Sequence, residues 1–236
     1  MRIISFFILL LVAISVNSQN FDNLKKIKIG GQENVFLMYN SSMAYEFNTK
    51  LQDLDRADPL YPKEADSRED IKLIKTKIDQ NSDVEYYIVF SENPSGDPHY
   101  MFYRDGQFES YETSISGYCL YIPGDGFLYS SGHINNNFDT RVKYVFKDNK
   151  ISEVEQPYYY VGIESKTLQK VKMYYSSDLQ KIVTTLEANT NIRILLNKKG
   201  TNIYLVVTEF GITGWIDNGY SGLMPTVLDK IFFRGD

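Results

Sequence analysis

The chain has 236 residues, with 25 Lys and Arg against 30 Asp and Glu, a formal net charge of −5 and one cysteine. That balance argues against a protein that grips a phosphate backbone, because such affinity is built from clustered Lys and Arg, and no nucleic-acid partner is expected. A lone cysteine cannot close an internal disulfide, so the core must come from packing.

Residues 3–14, IISFFILLLVAI, follow Met1-Arg2 and lead into Ser15-Val16-Asn17-Ser18. A basic start, a short apolar core and a small-residue end predict a secretory signal peptide over residues 1–18, cut before Gln19. The run is shorter than the roughly 20 residues of a spanning helix. The expected destination is therefore the periplasm or the cell exterior, with no stable membrane span left after cleavage.

A Gly30-Gly31 break and a strand-like end mark residues 27–39. Residues 41–54 predict a short helix that stops before Pro59 and Pro62. A clearer helix is predicted over 66–80, DSREDIKLIKTKIDQ: Ser67 and Asp70 approximate a capping box, and Ile71, Ile74 and Ile78 recur at helical spacing. From Asp83 the period becomes two. Residues 84–90, 99–103, 108–113, 118–122, 126–129 and 141–146 read as short strands separated by turn signals, Asp105-Gly106 among them. The expectation for residues 19–162 is an α+β, mainly β domain, an antiparallel meander with one or two packed helices.

Pro157 disfavours a central ladder position, which places a seam over residues 157–162. Five brief strands follow, at 168–175, 182–186, 191–196, 202–208 and 214–216, and predict a small closed barrel with a C-terminal tail over residues 163–236. The last of them carries Thr208-Glu209-Phe210-Gly211-Ile212-Thr213-Gly214-Trp215-Ile216, in which Gly211 and Gly214 supply a hairpin that needs positive φ or close backbone approach. Trp215 is the only tryptophan. It either fills the barrel core or presents an edge that joins Tyr204 or Tyr220 in a shallow ligand groove.

The run from residue 186 to 216, LEANTNIRILLNKKGTNIYLVVTEFGITGWI, resembles a bacterial SH3-like domain over about residues 164–217. The likeness rests on its polar lead-in, two apolar strands and Gly-x-x-Gly-Trp-Ile closing hairpin. That resemblance implies a small β-barrel and a targeting or binding role on cell-wall peptide or glycan. The preceding part resembles, in composition alone, uncharacterised exported proteins of the Bacteroidetes type.

Signals for chemistry are thin. General acid–base work needs two carboxylates facing one cleft, and Asp97, Asp105, Glu109, Glu112, Asp125, Asp139 and Glu153 have no spacing that predicts a shared site. His99 and His133 show no ligand spacing, so neither a metal nor a cofactor is expected. Cys119 sits within an alternating apolar stretch and reads as a buried small side chain. The sequence points to an exported, noncatalytic protein that binds envelope peptide or glycan through Trp215, Tyr204 and Tyr220. A secreted or periplasmic hydrolase of cell-wall or polysaccharide material, using an Asp/Glu pair, is the alternative.

Overall fold

A computed structural model describes residues 21–61, 70–92, 96–220 and 222–235. The expected signal peptide, Pro62 and Ser67 lie outside the described residues.

Alternating side chains produce strands along nearly the whole chain. β1 (Lys25–Lys28) and β2 (Phe36–Tyr39) pair as a hairpin. The chain then builds a second sheet from β3 (Ala44–Lys50), β4 (Ile71–Lys77), β5 (Glu85–Glu92), β6 (Pro98–Arg104) and β7 (Thr113–Ser116), an antiparallel meander. It returns through β8 (Cys119–Ile122), which pairs parallel to β2, and continues into β9 (Phe127–Gly132), β10 (Thr140–Lys147) and β11 (Lys150–Glu153). The first sheet thus reads β1-β2-β8-β9-β10-β11, and the second sheet is inserted between two of its neighbouring strands.

These two sheets share one core. Leu37, Tyr39, Leu120, Ile122 and Leu128 of the first meet Ile74, Tyr86, Ile88, Phe90, Tyr100 and Phe102 of the second. Burying each large apolar side chain contributes about 1.5–3 kcal/mol. The Tyr100 hydroxyl, fully buried, lies 2.8 Å from the Phe36 carbonyl and 3.0 Å from the Tyr118 carbonyl, and so ties the second sheet to the parallel seam of the first. Burial pushes its phenol well above the ordinary tyrosine range.

The outer face of the second sheet is also covered. Leu51, Leu54 and Leu60 pack over Val89 and Met101. Beneath that segment Lys72, only 2% exposed, donates to Asp58 Oδ2 at 2.6 Å and places its ammonium 4.0 Å from the Phe47 ring and 4.6 Å from the Tyr87 ring. The charge is paired and caged, which is what a buried lysine requires.

A third sheet follows: β12 (Tyr158–Lys166), β13 (Val171–Tyr174), β14 (Ile182–Leu186), β15 (Asn191–Lys198), β16 (Ile203–Thr208) and β17 (Thr213–Asp217), ordered β12-β15-β16-β17-β13-β14. Met173, Ile192, Ile194, Tyr204, Val206 and Ile216 form its inner face. Phe138, from the loop before β10, and Leu228 and Ile231, from the tail, complete that core. Buried Asn218 accepts from the Leu228 amide at 2.9 Å and fixes the tail in place.

Two expectations of the α+β reading are overturned. The described residues hold no α-helix, only 3-10 turns at Ser41–Met43 and Leu51–Asp53. Where the helix predicted over 66–80 is described, Ile71–Lys77 is strand β4 and residues 78–80 lead into a turn. A bulge explains the misleading spacing, because Ile71 lies opposite Phe90 and Ile74 opposite Ile88, so that three steps on β4 match two on β5. The helix predicted over 41–54 is likewise β3 between its two short turns.

The closed SH3-like barrel is absent as well. The third sheet is open, with β12 and β14 as unjoined edges. Its inner face is covered by Phe138 and the tail instead of by an opposing wall of its own strands. The apolar demand that would drive closure is met by other parts of the chain.

Candidate binding face on the third sheet

Strand pairing places one side chain from every strand of the third sheet in a single row. Tyr160 lies opposite Leu196, Leu196 opposite Leu205, Leu205 opposite Trp215, Trp215 opposite Tyr174, and Tyr174 opposite Ile182. Directly paired residues point to the same side of a sheet. Their neighbours Tyr204, Val206 and Ile216 are fully buried on the inner side, so this row faces outward. Tyr160 and Ile182 are 43% and 48% exposed, and Leu196, Leu205, Trp215 and Tyr174 are partly exposed.

Tyr158, two residues before Tyr160 and on the same side of β12, brings its ring to 5.7 Å from the Trp215 ring at 40°. Together they make a tilted aromatic pair beside the row. Charged residues border it: Glu164 and Arg193 form an ion pair at 3.3 Å along one flank, while Lys198, opposite Tyr158, and Asp217, opposite Ile203, stand along the other. An apolar stripe rimmed by charges on a rigid sheet is suited to a flat ligand with apolar patches and polar edges.

The turn that carries Trp215 into this position is defined by its glycines. Gly211 has φ +89°, and its amide donates to the Thr208 carbonyl at 2.8 Å. At Gly214 a Cβ would come within 2.5 Å of Met173 Cγ and 2.8 Å of the Tyr174 carbonyl. The missing side chain there lets β17 lie close against β13, which puts Trp215 opposite Tyr174.

The other two rings expected beside Trp215 are elsewhere. Tyr204 is fully buried and 6.1 Å from Phe138, ring to ring, so it cannot touch a ligand on the outer face. Burial pushes its phenol up to about 12, against a smaller opposite pull from Asn137. Tyr220 is 84% exposed on the segment after β17, and among the described residues its ring makes no aromatic contact with Trp215. Tyr158 takes their place. Period-two counting through Tyr158-Tyr159-Tyr160 puts alternate rings on one side, and that is the signal that could have selected it.

Carboxylates considered for catalysis are dispersed among separate partners. Asp105 and Glu85 share Lys75 at 2.7 and 2.8 Å, Glu112 binds Arg104 at 2.8 Å, and Glu153 binds Lys199 at 2.6 Å. Asp125 accepts from the Phe127 amide at 3.1 Å. His133 contacts the Phe232 carbonyl at 3.1 Å, and His99 the Asp97 carbonyl at 3.3 Å. Cys119 donates to the Asn34 carbonyl at 3.4 Å, and burial pushes its thiol up, which disfavours the nucleophilic thiolate. Among the described residues no group of three or more His, Cys, Asp or Glu is placed to hold a metal, and no helix is long and apolar enough to cross a membrane.

Compared with protein families, with curated proteins and with solved structures, the chain matches none.

Proposed function

We propose that the chain is an exported, noncatalytic binding protein that takes cell-envelope glycan or peptide on the outer face of its third sheet. The observation that carries this reading is the cross-strand row through Trp215, flanked by Tyr158, lying outward on a sheet whose opposite side holds the third-sheet core. Rings held by strand pairing lose little conformational freedom when a ligand stacks on them, so much of their contact area is available as affinity. Sugar rings, with apolar C–H faces and hydroxyl edges, match a stripe of this kind with charged flanks. The hydrolase alternative gains less support, because Asp105, Glu112 and Glu153 are each engaged by a different cation.

Since Trp215 is the only tryptophan, its fluorescence reports on this face directly. Titration with soluble cell-wall fragments is expected to shift its emission to shorter wavelength. In a pulldown on purified sacculi, Trp215→Ala is expected to weaken retention about tenfold, equivalent to about 1.4 kcal/mol. Equal retention of the native protein, Trp215→Ala and Tyr158→Ala would remove the face from this role.

A further inference from the structure

A recess of about 740 Å³ lies where the first sheet meets the third. One wall comes from β2, β8, β9 and the start of β10, and the other from β12 and the C-terminal tail. Its charged lining is Arg141, Lys230 and Arg234 against Asp139 alone, with His133 beside them. Three cations to one carboxylate is the reverse of the chain as a whole, which carries 30 acidic against 25 basic side chains. A concave surface lined by one sign of charge concentrates the field and attracts counter-ions.

The two guanidinium groups are held in place. Arg141 is 5.0 Å from the centre of the Tyr160 ring, and Arg234 is 5.6 Å from that of Tyr118. Arg104 and Arg193 sit in ion pairs, whereas among the described residues Arg141 and Arg234 have none. A guanidinium stacked on an aromatic face keeps its N–H edge open, and that edge matches two oxygens of a carboxylate or phosphate. Lys230 is fixed as well: its ammonium donates to the Glu164 carbonyl at 2.8 Å, and its backbone holds the left-handed φ of +65°. Arg141 comes from a strand of the first sheet and the other two cations from the tail, so the charge cluster exists only when both are assembled.

We infer that this recess binds the oxyanion of an acidic ligand, held between the edges of Arg141 and Arg234 with Lys230 beside them. It meets the outer face of the third sheet at Tyr160, on whose ring Arg141 sits, but the inference does not rest on that face binding anything.

Isothermal titration of the full exported chain tests it with matched probes. N-acetylmuramic acid and N-acetylglucosamine differ by a carboxylate-bearing lactyl group, and inorganic phosphate supplies the second oxyanion. Heat is expected from the acid sugar or from phosphate, and whichever binds identifies the oxyanion; the neutral sugar is expected to give none at this site. Raising salt from about 50 mM to about 500 mM is expected to weaken binding several-fold through screening. Arg141→Ala with Arg234→Ala is expected to lower affinity at least about tenfold, and Trp215→Ala to leave the affinity for phosphate unchanged. Both arginines are exposed, and an unaltered thermal melt will show that the double variant folds. Silence from both oxyanions, equal binding of the neutral and acid sugars by the Trp215→Ala chain, or full affinity in the double variant would overturn the assignment.

Discussion

In the first two sheets, Tyr86, Tyr100 and Phe102 turn their rings into an interior that the sheets share, whereas in the third sheet Trp215, Tyr174 and Tyr160 turn theirs outward, with Arg141 of β10 over the Tyr160 ring. The second sheet also has its outer side roofed by residues 51–61, with Lys72 clamped beneath. Of the large apolar side chains that remain exposed among the described residues, Tyr45 and Tyr111 precede Tyr158, and the other eleven run from Tyr158 onward. Both regions use the same alternation, yet only one of them uses both sides for packing. An uncovered apolar side is costly in water and is usually retained for binding.

Substitutions can sharpen that contrast. The largest effect is expected in the shared core: Phe102→Ala, at a fully buried position, should cost about 3–5 kcal/mol in denaturant unfolding. Trp215→Ala, on the uncovered side, should cost less than half of that. If the two costs came out equal, the third sheet's outer side would be core in all but name.

Breaking the roof of the second sheet should be nearly as severe. Asp58→Ala leaves Lys72 buried without its carboxylate, with an expected loss of about 3–5 kcal/mol, while Lys72→Met, which removes the charge, should be much milder. Equal losses from both variants would show that the ammonium is stabilising in its own right.

Smaller is the cost of filling the gap beneath Trp215. Gly214→Ala must displace Met173 or the β13 backbone and should destabilise by about 1–3 kcal/mol, with a change in Trp215 emission. Gly211→Ala meets nothing within 4 Å and bears only the strain of its φ of +89°, about 1 kcal/mol. Should the order of these two reverse, close approach would not be what holds the row together.

The least effect at neutral pH is expected for Tyr204→Phe, because the buried hydroxyl has only the Asn137 side chain near it and no hydrogen bond of ordinary geometry among the described residues. The contrast appears in alkali. The folded phenol titrates at about 12 and the unfolded one near 10, so the unfolded chain loses its proton first. Stability linked to Tyr204 is therefore complete below pH 10 and is lost as pH rises from about 10 through about 12. Tyr204→Phe should flatten that decline in a pH series of melts, and an unchanged slope would assign it to other tyrosines.

Legibility from the sequence differs between elements for physical reasons. Alternation in residues 84–90 and 202–208 is the alternation of β5 and β16, since both strands present one fully buried side. β4 has the apolar spacing of a helix because its bulge converts a period of two into a spacing of three between Ile71 and Ile74. The Gly-Trp hairpin was visible, but the open sheet around it was not, because the residues that cover its inner side, Phe138, Leu228 and Ile231, are distant in sequence. For the same reason Trp215 was matched with Tyr204, a neighbour in chain order, when Tyr158 on the far edge strand is its ring partner. Nothing in local patterning could bring Arg141 beside Lys230 and Arg234, about 90 residues on.

The parallel seam between β2 and β8 has a bearing on how the molecule assembles. Asn40 at the end of β2 reaches the Pro123 carbonyl, 83 residues along the chain, and everything between them must be made before that bond can form. The amino-terminal hairpin therefore waits, with its apolar side unpaired, until the meander is complete, which favours slow folding and a period of vulnerability to association. Docking of β1 and β2 into the first sheet is therefore set by when residue 123 is synthesised and placed.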